Sequence, residues 1–129
     1  MARIAVRWLA VISLALFSLG AARSGNWERL GRLEVAWPAD HDVLSVPHNV
    51  GPLREIRLEA RGGSVEIRDA TVTFEDGTKI KPGFPNRVSE RSGGQAVTLS
   101  GKRRRIRQIE FTYTPTRNKQ NVQLTVYGR

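Results

Sequence analysis

From residue 27 onward, apolar side chains recur at every second position in short runs, and each run is closed by Gly, Pro, Asn or Asp. Period-two alternation marks strands that bury one face, because successive side chains on an extended backbone point to opposite sides. The first run, LGRLEVAW, sets Leu33, Val35 and Trp37 against Arg32, Glu34 and Ala36, and Pro38 closes it. A second, DVLSVP, is short. In LREIRLEARGG, Ile56, Leu58 and Ala60 alternate with Glu55, Arg57, Glu59 and Arg61, as in a sheet with one wet face.

SVEIRD then aligns Val65 with Ile67, while ATVTFEDGTKI aligns Ala70, Val72 and Phe74. The inward phase slips by one residue between Ile67 and Ala70, which predicts a bulge or sharp corner near Arg68 and Asp69. Asp76-Gly77 is a hairpin signal, since both residue types tolerate positive φ, and TKIKP is the return strand. GFPNRVSERSGGQ is expected to be a loop, polar and rich in turn formers. The last third holds QAVTLS, the stretch GKRRRIRQIEFTYTP, a polar connection TPTRNKQN, and NVQLTVYG, in which Val122, Leu124 and Val126 alternate with Gln123, Thr125 and Tyr127. No segment after the N-terminal apolar run repeats apolar residues at i, i+3 and i+4, so little or no helix is expected. Eight or nine short strands without internal repeats predict an all-β fold. The expected form is one antiparallel sandwich of two sheets, Ig-like or jelly-roll-like in layering, with a small closed barrel as the alternative.

The first residues follow a different rule. Arg3 and Arg7 precede an apolar run from Trp8 to Ala22 that ends in Gly20, Ala21 and Ala22. That order is the pattern of a secretory signal peptide, and the run falls short of the roughly 20 residues that span a bilayer. Residues 1–22 are therefore expected to be a leader cut after Ala22, with Ser24 as the second choice, and residues 23–129 a single domain with no transmembrane segment. A membrane anchor left uncut is the competing reading, and the lack of Cys at the junction argues against a lipoprotein. With no cysteine anywhere, the domain is expected to fold on its apolar core alone.

Charge adds a direction. Lys and Arg number 21 against 12 Asp and Glu, a formal net charge of +9, and 19 basic residues remain once Arg3 and Arg7 are removed. Outside the cytoplasm the natural partners of such a surface are anionic lipid headgroups, acidic glycans and acidic proteins. The densest cations are Lys102, Arg103, Arg104 and Arg105, with Arg107 close behind. The phase of Ile109, Phe111 and Tyr113 would carry Arg107 and Arg105 into the core and Ile106 out of it. Burying an unpartnered cation costs several kcal/mol, so a bulge near Arg107 and Gln108 is expected to restore Ile106 to the core. The cluster then sits in solvent at the start of a strand. There it is either a solvated turn that blunts a sheet edge or an anion-binding knuckle, with Arg87 and Arg91 of the polar loop as candidate further members. Nucleic acid is set aside as the ligand, because no aromatics interleave the cluster to stack bases.

Other chemistry is thinner. PADHDV offers Asp40, His41 and Asp42, with His48 nearby, but Asp-rich triplets after Pro more often make Asx-turns than metal sites. The segment is read as the turn joining the first two strands, and no metal or other cofactor is expected. Two histidines, no cysteine and no Gly-x-Ser-x-Gly elbow leave no catalytic constellation, so the chain is read as non-enzymatic. Glu55, Glu59 and Glu66 are explained by cross-strand ion pairs with arginines. Trp27 is expected to anchor the start of the mature chain and Trp37 to join the core. Trp27, Phe84 and Tyr127 share no spacing that would make a sugar platform.

The order WERLG, DHDVLSV, LREIRLEARGGSVEIRDATVTFEDG and RRIRQIEFTYTP resembles a family of small exported proteins, mainly proteobacterial, known only as domains of unknown function. The resemblance runs from Trp27 to about Tyr127. Its markers are Trp27, Leu30 and Gly31, the turn at Asp40, Asp42 and Val43, and the ladders from Ile56 to Phe74. It implies a compact periplasmic all-β domain and carries over no ligand or catalytic residue. The functional expectation is thus a periplasmic or secreted sandwich that binds an anionic envelope lipid or glycan through Lys102, Arg103, Arg104, Arg105 and Arg107. The alternative is an interaction or assembly module that uses exposed edge strands to hold a periplasmic protein.

Overall fold

The computed structural model describes residues 27–36, 41–92, 94–114 and 121–129. The expected leader, Trp37, Pro38, Asp40 and most of the connection from Thr114 to Asn121 lie outside the described residues. Nine strands follow one another: β1 (Glu28–Val35), β2 (His41–Ser45), β3 (Glu55–Arg61), β4 (Val65–Phe74), β5 (Lys79–Ile80), β6 (Arg87–Val88), β7 (Ala96–Thr98), β8 (Ile106–Tyr113) and β9 (Val122–Gly128). No helix occurs among the described residues. The strands form two antiparallel sheets, one in the order β1-β9-β3-β7 and one in the order β2-β8-β4-β5, with β6 also pairing β4.

Alternation builds the core. On β3, Ile56, Leu58 and Ala60 are buried and their neighbours are not, and on β8 the buried set is Ile106, Ile109, Phe111 and Tyr113. Leu124 and Val126 of β9 are fully buried, as are Val72 and Phe111 from the opposite sheet, so the two inner faces meet in a dry layer. At about 25 cal/mol per Å2 of apolar surface removed from water, this layer is the main source of stability in a chain with no cysteine.

Both predicted bulges are present. SVEIRD and ATVTF form one strand, β4, whose pairing with β8 slips between Ile67 and Asp69. A second slip lies between Thr73 opposite Gln108 and Phe74 opposite Ile106, which makes Arg107 the extra residue. Ile106 is buried and Arg107 exposed as a result. A third slip, between Arg29 and Gly31 on β1, lets Leu30 share the inner face with Leu33 and Val35.

Three local expectations change. Residues 83–95 are not wholly loop, because Arg87 and Val88 pair with Glu66 and Val65, an arrangement too short to show as alternation. In the Asp76-Gly77 turn only Gly77 takes positive φ, at 87°, while its N–H donates to the Phe74 carbonyl at 2.9 Å. That geometry is a turn ending in a left-handed glycine, and Asp76 contributes its Oδ1 as acceptor for the Thr78 N–H at 2.9 Å. His41 and Asp42 belong to β2 itself and not to a turn before it.

Candidate functional site

The basic cluster is delivered by the approach to β8. Gly101 turns the chain with φ of 88°, and Arg104 then makes a two-way backbone bridge with Leu53: the Leu53 N–H donates to the Arg104 carbonyl at 2.9 Å and the Arg104 N–H to the Leu53 carbonyl at 3.1 Å. Two residues later β8 begins at Ile106, and the carbonyl of the bulge residue Arg107 accepts the Val46 N–H at 2.9 Å. Arg104, Arg105 and Arg107 are therefore held on a hydrogen-bonded backbone, and Lys102 and Arg103 lie in the bend that leads into it.

Their side chains divide. Arg104 is half-buried: its guanidinium lies 3.7 Å from the Phe74 ring centroid and donates to the Ser100 carbonyl at 3.1 Å. It covers the end of the core, since Phe74 is only 1% exposed. Lys102, Arg103, Arg105 and Arg107 are exposed, and Arg105 donates to the His48 carbonyl at 3.2 Å. Among the described residues, none of the five forms an ion pair with a carboxylate. Counter-charge is nevertheless close. Glu75 and Asp76 follow Phe74, Glu75 sits 3.5 Å from the His48 ring, and the Asp76 carboxyl is held below its ordinary range mainly by the Thr78 N–H, with Arg104 adding a smaller pull.

Arg87 does not join the cluster. It pairs beside Glu66 at the start of β4, whereas Ile106 pairs with Phe74 at its end, a separation of roughly 25 to 30 Å along an extended strand. Arg103 lines a shallow groove with Glu28, Glu55 and Arg129, where charges of both signs meet.

The remaining candidates scatter. His41 faces Glu110 at 3.5 Å on the outer surface while Asp42, one residue on, points inward, and no group of three or more potential metal ligands occurs among the described residues. Asp42 Oδ2 and the Tyr113 hydroxyl are both buried without a hydrogen-bond partner among the described residues. Burial, and then the nearby Asp42 charge, push the Tyr113 hydroxyl well above the ordinary tyrosine range. Glu55 pairs with Arg129 at 3.2 Å, and Glu59 pairs with Arg57 of its own strand at 3.4 Å.

One constellation was invisible in the sequence. Arg57 lies 4.8 Å from both the Trp27 and Tyr127 rings, and Arg129 lies 4.3 Å from Trp27, so aromatic and guanidinium planes alternate on the outer face of the first sheet. The β3–β9 register, which puts Arg57 opposite Tyr127, creates it, and nothing in residue spacing announces that register. Phe84 packs instead against Phe111, at 6.1 Å between rings. A sugar platform does not form, because Arg57 occupies the space between the two half-buried aromatics.

A family model described as a domain of unknown function, DUF2541, matches residues 9–128. The chain belongs to the DUF2541 family. The DUF2541 domain thus takes in both sheets and all nine strands described above. Comparison with curated proteins finds no match. Among solved structures, this DUF2541 chain is similar to the Drosophila NLP-core, whose crystal structure is described as giving insight into pentamer formation and histone binding. The likeness covers 80% of this chain and 96% of that one, with 8% sequence identity and a TM-score of 0.32. At that level no property of the Drosophila protein transfers.

Proposed function

We propose that this DUF2541 protein is a non-enzymatic, exported β-sandwich that binds an anionic component of the cell envelope, a lipid headgroup or a glycan, through Lys102, Arg103, Arg105 and Arg107. The observation that carries the reading is four exposed cations at and just before the start of β8, without a paired carboxylate among the described residues. The summed potential of the cluster draws anions. Export is supported by the Arg3, Arg7 and Trp8–Ala22 pattern.

The test is binding of the purified protein to neutral vesicles and to vesicles containing anionic lipid or lipopolysaccharide, at low and physiological salt. Expected is binding to the anionic vesicles alone, weakened by salt, and lost when Lys102, Arg103, Arg105 and Arg107 are replaced by Ser with Arg104 kept. Equal retention of the Ser variant would overturn the assignment. A second reading, an interaction module acting through an edge strand, is favoured by β1, an eight-residue strand that pairs on one side only, with β9.

A further inference from the structure

A two-sheet sandwich has edges that nature must protect, because each offers unpaired N–H and C=O groups to any other strand. Here the edges differ. β7 spans three residues and β5 two, too short to hold a partner. β2 is longer but turns Asp42 inward, with Oδ2 buried, and an inward charge on an edge strand discourages addition of another strand. β1 has none of these defences along its regular part. From Gly31 to Val35 its inner face carries Leu33 and Val35, its outer face Arg32 and Glu34, and no proline interrupts it.

The order of those two outer charges selects a partner. If a second β1 pairs antiparallel about Leu33, then Arg32 of each copy stands opposite Glu34 of the other, Gly31 stands opposite Val35, and inner faces stay with inner faces. A slip of one residue in the register sum would turn each face over. A slip of two sets Arg32 opposite Arg32, or Glu34 opposite Glu34, and like charges directly opposite repel. The strand is therefore self-complementary in one register and self-repelling in its neighbours.

Resting on the edge-strand reading, we propose that two copies of this chain associate through β1, antiparallel and centred on Leu33. The two four-stranded sheets become one sheet in the order β7-β3-β9-β1-β1-β9-β3-β7. The association is symmetric and closed, since the same patch serves both copies, and the paired segment from Gly31 to Val35 contains none of the basic cluster.

Sedimentation equilibrium on the purified chain tests it, across concentrations from about 1 to 500 μM, the range in which a small interface is populated. The mass is expected to rise toward twice the monomer. Arg32→Glu and Glu34→Arg should each weaken association about tenfold, because two opposite-charge pairs become like-charge pairs. The exchange of both, Arg32→Glu with Glu34→Arg, should restore it at unchanged net charge. Monomer mass throughout, or failure of the double exchange to regain the dimer, overturns the proposal. Because the chain has no native thiol, Leu33→Cys gives an independent readout: it should form an intermolecular disulfide on mild oxidation, while Thr98→Cys on the opposite edge should not. Equal cross-linking of the two overturns the proposal as well. Vesicle binding by the double-exchange variant should match the unaltered protein, so failure of the dimer and failure of anion binding are read separately.

Discussion

Arg104 and its neighbours show how differently adjacent cations can be used. Its guanidinium lies over Phe74 while Arg103 and Lys102 stand in solvent. Arg104→Ser should lower the unfolding free energy by about 1 to 2 kcal/mol, through lost contact with the ring and lost cover of the core. Lys102→Ser or Arg103→Ser should stay within about 0.5 kcal/mol; urea titrations of the three variants decide. Tyr113 gives a second residue-level expectation. Its folded-state pKa is raised above the ordinary 10.0, so its contribution to stability is complete below pH 10 and is lost as pH rises beyond that, where the unfolded chain ionises first. Tyr113→Phe should flatten that alkaline loss, measured as melting temperature against pH from 9 to 12. Alternation showed that Tyr113 faces inward. That its hydroxyl lies near Asp42 depends on how β2 and β8 sit together, which alternation does not encode.

The strands repeat this lesson one level up. The bulges at Arg68–Asp69 and at Arg107 were legible because a bulge leaves a mark in sequence: apolar phase slips by one residue, and the alternative is a buried arginine. The β1 slip at Arg29–Gly31 leaves the same kind of mark, because Leu30 and Leu33, three apart, cannot both face inward on a regular strand, but the alternation of Leu33, Val35 and Trp37 does not by itself include Leu30. β6 was missed because two residues carry no period. The β1 slip also brings Gly31 against the other sheet: a Cβ there would lie 2.5 Å from Leu44 Cδ1. Gly31→Ala should therefore push β1 and β2 apart and cost about 1 to 3 kcal/mol, as overpacked cores do. The check is chemical denaturation, with Gly83→Ala, where a Cβ meets nothing within 4 Å, as the neutral control.

For the whole molecule, fold class and strand number could be read from the chain, and strand order could not. Period two reports which face of a strand is wet; it is silent about which strand lies beside it. The candidate site followed the same division. Its residues stood out as a charge run, but the separation of Arg87 from the cluster and the diversion of Arg104 into packing required the pairing of β4 with β8. The outer-face stack of Tyr127, Arg57, Trp27 and Arg129 likewise ties the first described residue to the last, and it orders both ends of the domain on one sheet. The position of β9 has a temporal consequence. It lies between β1 and β3, so neither of these early strands has its long-strand neighbour until residues 122–128 exist. As the chain emerges from a ribosome, β1 and β3 wait with open edges for nearly the whole length of synthesis. Refolding from denaturant should accordingly be slow for a chain of this size, in milliseconds to seconds by stopped flow. A chain ended at Asn121 should stay unfolded and bind a holding chaperone in place of its own last strand.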